Sequence, residues 1–320
     1  MRRYGPAVIA LAAVAAARAA CVIHRHPAPP DRAAATAAPP GTTTAPPSTP
    51  SIPAPSPPSA SSMPSAGSGD AAAHRPNATG AEAPAGAPAS IIPATTRELI
   101  TGIVPDWSAT AVTLQRWRRG DGTAGAARRW TADGEPWQGV IGTAGAAWGS
   151  GLHGIGAPDG HAGPVKREGD GKSPAGAFAL RGVYGYAPAP PQGTAVPYTQ
   201  VTSDWQCVDD PASRRYTQIV DRRAVTVDWT SAEAMRRRDA LYTWVIDIAH
   251  NRAATSGAGS CIFFHVWHGP DAATVGCTAM PEPRLAQLIG GLDPTAVYVL
   301  LPRGEYDALT APWGLPAGEK

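Results

Sequence analysis

The segment Thr274-Val275-Gly276-Cys277-Thr278-Ala279-Met280 places a cysteine directly after a glycine, just beyond a polar loop. Glycine relieves crowding where a backbone turns sharply. Such a turn presents the thiol and leaves neighbouring N–H groups free to bind an oxyanion. Twelve positions earlier stands His265, near the end of the apolar run Cys261-Ile262-Phe263-Phe264-His265-Val266-Trp267. If the loop from His268 to Thr274 folds back, the imidazole meets the thiol. That contact would depress the thiol pKa and generate a thiolate able to attack a carbonyl. The spacing alone leaves open a structural cysteine beside a satisfied histidine.

Other residues bear on the same chemistry. Asp209, in Asp209-Asp210-Pro211-Ala212-Ser213, could bind a substrate amine, although Asp and Pro are also ordinary turn residues. Glu168 and Asp170 with Lys166 either line a cleft or form a salt-bridged turn, and Trp267 is either a pocket wall or core packing. Cys261, His265, His268 and Cys277 are zinc-ligand types, but their spacing matches no compact zinc motif. On a continuous strand His265 and His268 would face opposite sides. No metal and no cofactor are expected.

The elements that must position these residues read mostly as strands. Ala111 to Trp117 alternates, and Gly139 to Gly142 is a short apolar run. Tyr242 to Ile248 and Cys261 to Trp267 are the strongest β segments, joined by a loop over 250–259 that suits an antiparallel pair. Ala296 to Leu301 makes a late strand. Two helices are expected, Ser231 to Arg238 and Glu282 to Ile289, the second with Pro283 in its first turn.

The chain has 320 residues with 35 Gly and 35 Pro, and the prolines crowd into its first quarter. From Pro27 to about Ser90 the composition is Pro, Ala, Ser, Thr and Gly, too poor in apolar bulk to offset ordering entropy. This reads as a semi-rigid spacer. Ahead of it, Arg2 and Arg3 precede the apolar run Ala7 to Ala17, an export signal too short to span a bilayer comfortably. Ala17-Arg18-Ala19 fits a cleavage site, and Cys21 stands where a lipoprotein is acylated, although Arg18 replaces the usual aliphatic residue. Lipidation at Cys21, simple cleavage and an uncleaved anchor therefore all remain open. The net charge of +2, with no basic run longer than Arg236-Arg237-Arg238, argues against nucleic acid as a partner.

Phe263-Phe264-His265 followed by Thr274-Val275-Gly276-Cys277 resembles the signature of the L,D-transpeptidase (YkuD) catalytic domain. Ser173-Pro174-Ala175-Gly176-Ala177-Phe178 is similar to the (S/T)-P-x-G-x-F segment of that family. The resemblance spans roughly Trp107 to Pro302. It implies a mostly β, sandwich-type catalytic domain, with Cys277 as nucleophile, His265 as base and donor to the leaving amine, and Gly276 in the oxyanion turn. It also matches Thr274 to the hydroxyl residue three before the cysteine. Val275 stands in place of a second histidine, Ala279 in place of the usual Arg or Asn, and the His-to-Cys spacing is shorter than the family's.

On one strand Cys261 and His265 lie roughly 13 Å apart at about 3.3 Å per residue. A disulfide tolerates only about 4.4–6.8 Å between Cα atoms. If Cys277 meets His265, Cys261 is left to pair with Cys207. The expectation is thus an exported enzyme of the periplasm or cell envelope, held to the membrane only through its N-terminus. It would transfer acyl groups on peptidoglycan stem peptides in cell-wall crosslinking or remodelling. The segments are a signal over 1–21, a disordered linker over 22–91, a catalytic domain over 92–305 and a tail over 306–320. The alternatives are an L,D-carboxypeptidase or amidase on the same peptides, and a catalytically idle wall-binding module; a redox pair of Cys261 and Cys277 is weaker still.

Overall fold

The computed structural model describes residues 90–120 and 129–317. The expected export signal, Cys21 and nearly all of the Pro-rich linker lie outside the described residues. In chain order the strands are β1 (Glu98–Val104), β2 (Ala111–Arg119), β3 (Trp130–Ala132), β4 (Trp137–Val140), β5 (Ala146–Trp148), β6 (Ser150–Gly151) and β7 (Gly154–Ile155). Then come β8 (Ser173–Gly185), β9 (Tyr198–Gln200), β10 (Trp205–Val208), β11 (Ile219–Asp221) and β12 (Ala232–Ala234). The last are β13 (Val245–Ile248), β14 (Phe263–Val266), β15 (Thr278–Met280) and β16 (Val297–Pro302). The helices are α1 (Glu282–Gly290) and α2 (Arg303–Trp313).

The protein is therefore mostly β among the described residues. Its main sheet runs β1-β16-β8-β13-β14-β15-β4-β2, and β2 pairs back onto β1. Eight strands thus close a barrel-like ring, which removes the exposed edges an open sheet would carry. The strand patterns follow from position. β2 alternates, with Val112 and Leu114 buried and Ala111 and Thr113 exposed. β16 is buried throughout, as is the Phe-Phe-His-Val run of β14. β13 and β14 form the expected antiparallel pair, with Val245 opposite His265. A separate small sheet, ordered β11-β10-β12, stands beside the ring.

Two expectations need correction. The segment Ser231 to Arg238 is not a helix: it contributes β12, where Gln206 faces Ala234, Cys207 faces Glu233 and Val208 faces Ala232. Pairing with an otherwise open edge of β10 overrides a modest helical preference. The stretch 306–320, read as a tail, carries most of α2, which buries Tyr306, Leu309 and Trp313. Helix α1 forms where Pro283 predicted it and buries Leu285, Leu288 and Ile289.

The loop between β13 and β14 is stitched from within. Asn251 is fully buried; its side-chain amide donates to the carbonyls of Thr255 and Gly259, both at 2.9 Å. His250 accepts from the Ser150 N–H through Nδ1 at 3.2 Å, and its Nε2–H donates to the Ala258 carbonyl at 3.0 Å. Those roles require the neutral ring, and burial lowers its pKa from 6.5 to about 4. The folded pKa is depressed, so its contribution is complete above about pH 6.5 and is lost as pH falls towards 4. His250→Gln is expected to cost about 1–3 kcal/mol at neutral pH. Relative to the parent, its melting temperature should also fall less between pH 6.5 and 4. Thermal melts of both proteins across that range check this, and parallel curves would refute it.

Candidate active site around Cys277

The site is built by one parallel pairing. Phe264 faces Thr278, His265 faces Ala279 and Val266 faces Met280 across β14 and β15. Cys277 is the residue just before β15. Its sulfur accepts from the Phe263 N–H at 3.3 Å, and the thiol donates to the Cys261 carbonyl at 3.5 Å. Cys277 is the one free cysteine among the described residues, and only 5% of it is exposed.

The turn before it is tightly held. Gly276 has φ +149°, and a Cβ there would come within 3.1 Å of the Lys172 carbonyl oxygen and 3.3 Å of Ile262. Thr274 accepts from the Gly276 N–H at 3.1 Å through Oγ1 and donates to the Cys277 carbonyl at 2.6 Å. Ser173, at the start of β8, donates to that same carbonyl at 3.1 Å while accepting from the Gly142 N–H at 3.0 Å. Two hydroxyls thus fix the Cys277 carbonyl, while its N–H has no acceptor among the described residues. A free N–H at a rigid turn is the donor an oxyanion requires. The resemblance matched Thr274 by position; its hydroxyl is committed to the turn. The Ser173 contact, reaching across the sheet from a distant segment, had no signature in the spacing of Cys277 and His265.

His265 lies on β14 with 7% exposure, and its Nδ1–H donates to the Val266 carbonyl at 2.7 Å. That bond sets the tautomer and leaves Nε2 without a hydrogen-bond partner among the described residues. Burial lowers its pKa to about 4; Arg237 and His268 push the same way, while the Val266 bond and Asp239 oppose them. The imidazole is therefore neutral at rest. It is not a hydrogen-bond partner of the thiol: the Tyr242 ring meets it edge-on, with centroids 5.2 Å apart. Burial pushes the Cys277 thiol well up, and the Glu233 carboxylate adds to this. The Phe263 N–H, Lys166 and the Tyr242 hydroxyl act the other way.

Cys277 borders two cavities. The larger, about 550 Å³, is lined by Lys166, Glu168, Asp170, Asp209 and Glu233 beside the Gly276-Cys277 turn. The smaller, about 240 Å³, contains His265, Trp267, Tyr242, Glu233 and Thr274. His265 and Cys277 are thus brought to one cavity, Asp209 and Cys277 to the other, and Trp267 stands on a cavity wall. Asp209 accepts from the Ser231 hydroxyl at 2.5 Å through one oxygen. Lys166 and Asp170 realise both readings of their segment, pairing at 2.6 Å while lining the cavity. Among the described residues no group of three or more His, Cys, Asp or Glu is placed to hold a metal ion.

Sequence reasoning missed Glu233 and Tyr242. The Tyr242 hydroxyl donates to Glu233 Oε1 at 2.5 Å, and both residues border the smaller cavity with the thiol. The tyrosine reads as a strand residue and the glutamate as part of a helix, so no local pattern joins them to Cys277.

Cys207 and Cys261 are disulfide-bonded, with Cα atoms 5.9 Å apart. The bond ties β10 to the residue whose carbonyl receives the thiol, and Cys207 in turn faces Glu233 on β12. Comparison with protein families, with curated proteins and with solved structures found no match to this chain.

Removing the disulfide by the double change Cys207→Ser and Cys261→Ser is expected to cost about 2–4 kcal/mol. Urea unfolding of the double variant against the parent measures it. Equal midpoints would show that the pairing of β10 with its neighbours holds the small sheet without the cross-link.

Proposed function

We propose that this chain is an exported cell-wall enzyme, a divergent L,D-transpeptidase-like acyltransferase acting on peptidoglycan stem peptides. The observation that carries this reading is the one free thiol among the described residues, at a glycine turn with an uncommitted N–H and bordering two cavities. The cysteine would attack the amide between an L-centre and a following D-residue. A Gly276-Cys277 oxyanion turn and His265 as the acid–base group would complete the site. The family's sandwich-type catalytic domain is part of the same proposal, with the closed eight-strand ring as its form here.

Two cavities bordered by Cys277 favour transfer to an amine over hydrolysis. One cavity can hold the donor and the other the acceptor, and Asp209 is positioned to pair with a cationic amine. Val275, 81% exposed, borders both cavities and takes the place of the second histidine of the resembled signature. The donor or acceptor is therefore met by an aliphatic side chain at that point.

The test is to incubate the protein with a stem peptide containing the L-centre to D-residue amide and an amine acceptor, and to analyse products by mass spectrometry. The amine-joined peptide should predominate over the hydrolysed one. Cys277→Ala should abolish both, and His265→Ala should lower turnover on the order of 10²-fold or more. Hydrolysed product alone would establish the carboxypeptidase or amidase reading. No product, together with binding to peptidoglycan, would establish the idle wall-binding module.

A further inference from the structure

We propose that Tyr242 and Glu233 form the proton path of the nucleophile, in which the Tyr242 oxygen takes the Cys277 thiol proton as Tyr242 passes its own to Glu233. The inference rests on the reading of Cys277 as the nucleophile, and it assigns the first proton transfer to a group other than His265.

Three observations converge. First, Tyr242, Glu233 and Cys277 all border the same cavity. Second, the Tyr242 proton is already committed to Glu233 at 2.5 Å, so the lone pairs of its oxygen are what it can offer the neighbouring thiol. Third, the thiol's hydrogen bonds run to the Phe263 N–H and the Cys261 carbonyl, and none among the described residues joins it to His265, whose ring packs T-shaped against Tyr242. The pair is held in place from behind. Glu233 lies opposite Cys207 on β12, and the disulfide links Cys207 to Cys261. Arg237 lies over the Tyr242 ring, with its guanidinium carbon 5.2 Å from the centroid. The tyrosine is 3% exposed and packs with Met235, Val245 and Phe263.

Sulfur forms its bond to the amide carbon while the thiol proton passes to Tyr242 and the Tyr242 proton to Glu233, which becomes a carboxylic acid. When the C–N bond breaks, the proton returns through Tyr242 to the leaving nitrogen. The products are a thioester, a free amine and the original carboxylate. His265, neutral and with Nε2 unbonded among the described residues, is then left to accept the proton of the acceptor amine as the new C–N bond forms and the C–S bond breaks, and to return it to the departing Cys277 sulfur, which restores the thiol and the neutral ring.

The charged and titratable groups that face this path can be named. Glu233 and Lys166 act on the thiol, Arg237 and Asp209 on Glu233, and Arg237, Asp239 and His268 on His265. They make the alternative explicit. Glu233 as a bare negative charge works against the thiolate. Removing that charge would then speed the thiol, whereas removing a base would slow it.

Alkylation of Cys277 by iodoacetamide, followed on its peptide by mass spectrometry from pH 6 to 10, separates the two. The full-length parent should show a pH-independent rate across the neutral range. Glu233→Gln and Tyr242→Phe should each lose that plateau. At pH 7 both should react on the order of 10²-fold more slowly, with a rate that climbs tenfold per pH unit. Glu233→Asp, which keeps the carboxylate, should recover part of the plateau. Circular dichroism and disulfide mapping confirm that each variant is folded, and Tyr242→Phe retains the buried ring if Glu233→Gln does not fold. A faster thiol in Glu233→Gln, or an unchanged profile in folded Tyr242→Phe, would overturn the proposal. The readout needs no peptide substrate. A plateau that depends on Glu233 without peptide transfer would sink the acyltransferase reading alone, and transfer with an insensitive profile would sink this inference alone.

Discussion

The parallel pairing of β14 with β15 is the constraint on which the site depends. Parallel neighbours cannot be joined by a tight hairpin, so the chain must leave β14 at Val266, loop out and re-enter the sheet at Thr278 in the same direction. Cys277 is the last residue of that return, held where the chain is forced to turn inward. Thr274 makes an isolated bridge to Gly142, and its N–H bonds to the Ile141 carbonyl, so the loop is anchored before the turn begins. Only then can two hydroxyls from different segments converge on one carbonyl. The loop's shortness follows from this anchoring, and it accounts for the close spacing of histidine and cysteine.

Around that turn, burial dominates the electrostatics. It keeps the thiol protonated and the imidazole neutral, so the resting site carries no thiolate–imidazolium pair. On the proposed reading, such a thiol is activated during the reaction by a base, instead of being stored as an ion. A buried neutral thiol also resists oxidation better than an exposed thiolate. The nearby disulfide shapes the same environment. By joining β10 to the approach of β14, it sets the small sheet, and with it Glu233, against the wall of the cysteine's cavity.

Much of this was legible from local pattern. The alternation of β2, the apolar runs of β13, β14 and β16, and the proline-started α1 are all visible as short-range signals. So was the thiol at a glycine turn. The Cys207–Cys261 pairing is the expected one, but the strand distance invoked for it does not hold, because β14 begins at Phe263 and the Cys277 thiol lies against the Cys261 carbonyl. Closure of the ring was not legible, because β1 meeting both β2 and β16 depends on pairings between opposite ends of the domain. Nor was β12: Ala232-Glu233-Ala234 has no strand character until β10 offers its edge. Glu233 and Tyr242 escaped for the same reason, since they stand nine positions apart along the chain and only the fold brings them to the thiol. His265 shows the limit of motif reasoning. Its type and strand position were evident, but the orientation of its ring is set by the Val266 carbonyl and Tyr242.

Whether Cys277 is an acyl-accepting nucleophile can be decided by intact-mass analysis of the protein after incubation with a carbapenem, a compound that acylates activated nucleophiles. If Cys277 is such a nucleophile, the native protein gains a covalent adduct of one inhibitor mass and Cys277→Ala gains none. An unmodified native protein whose Cys277 is also inert to small alkylating reagents would contradict it.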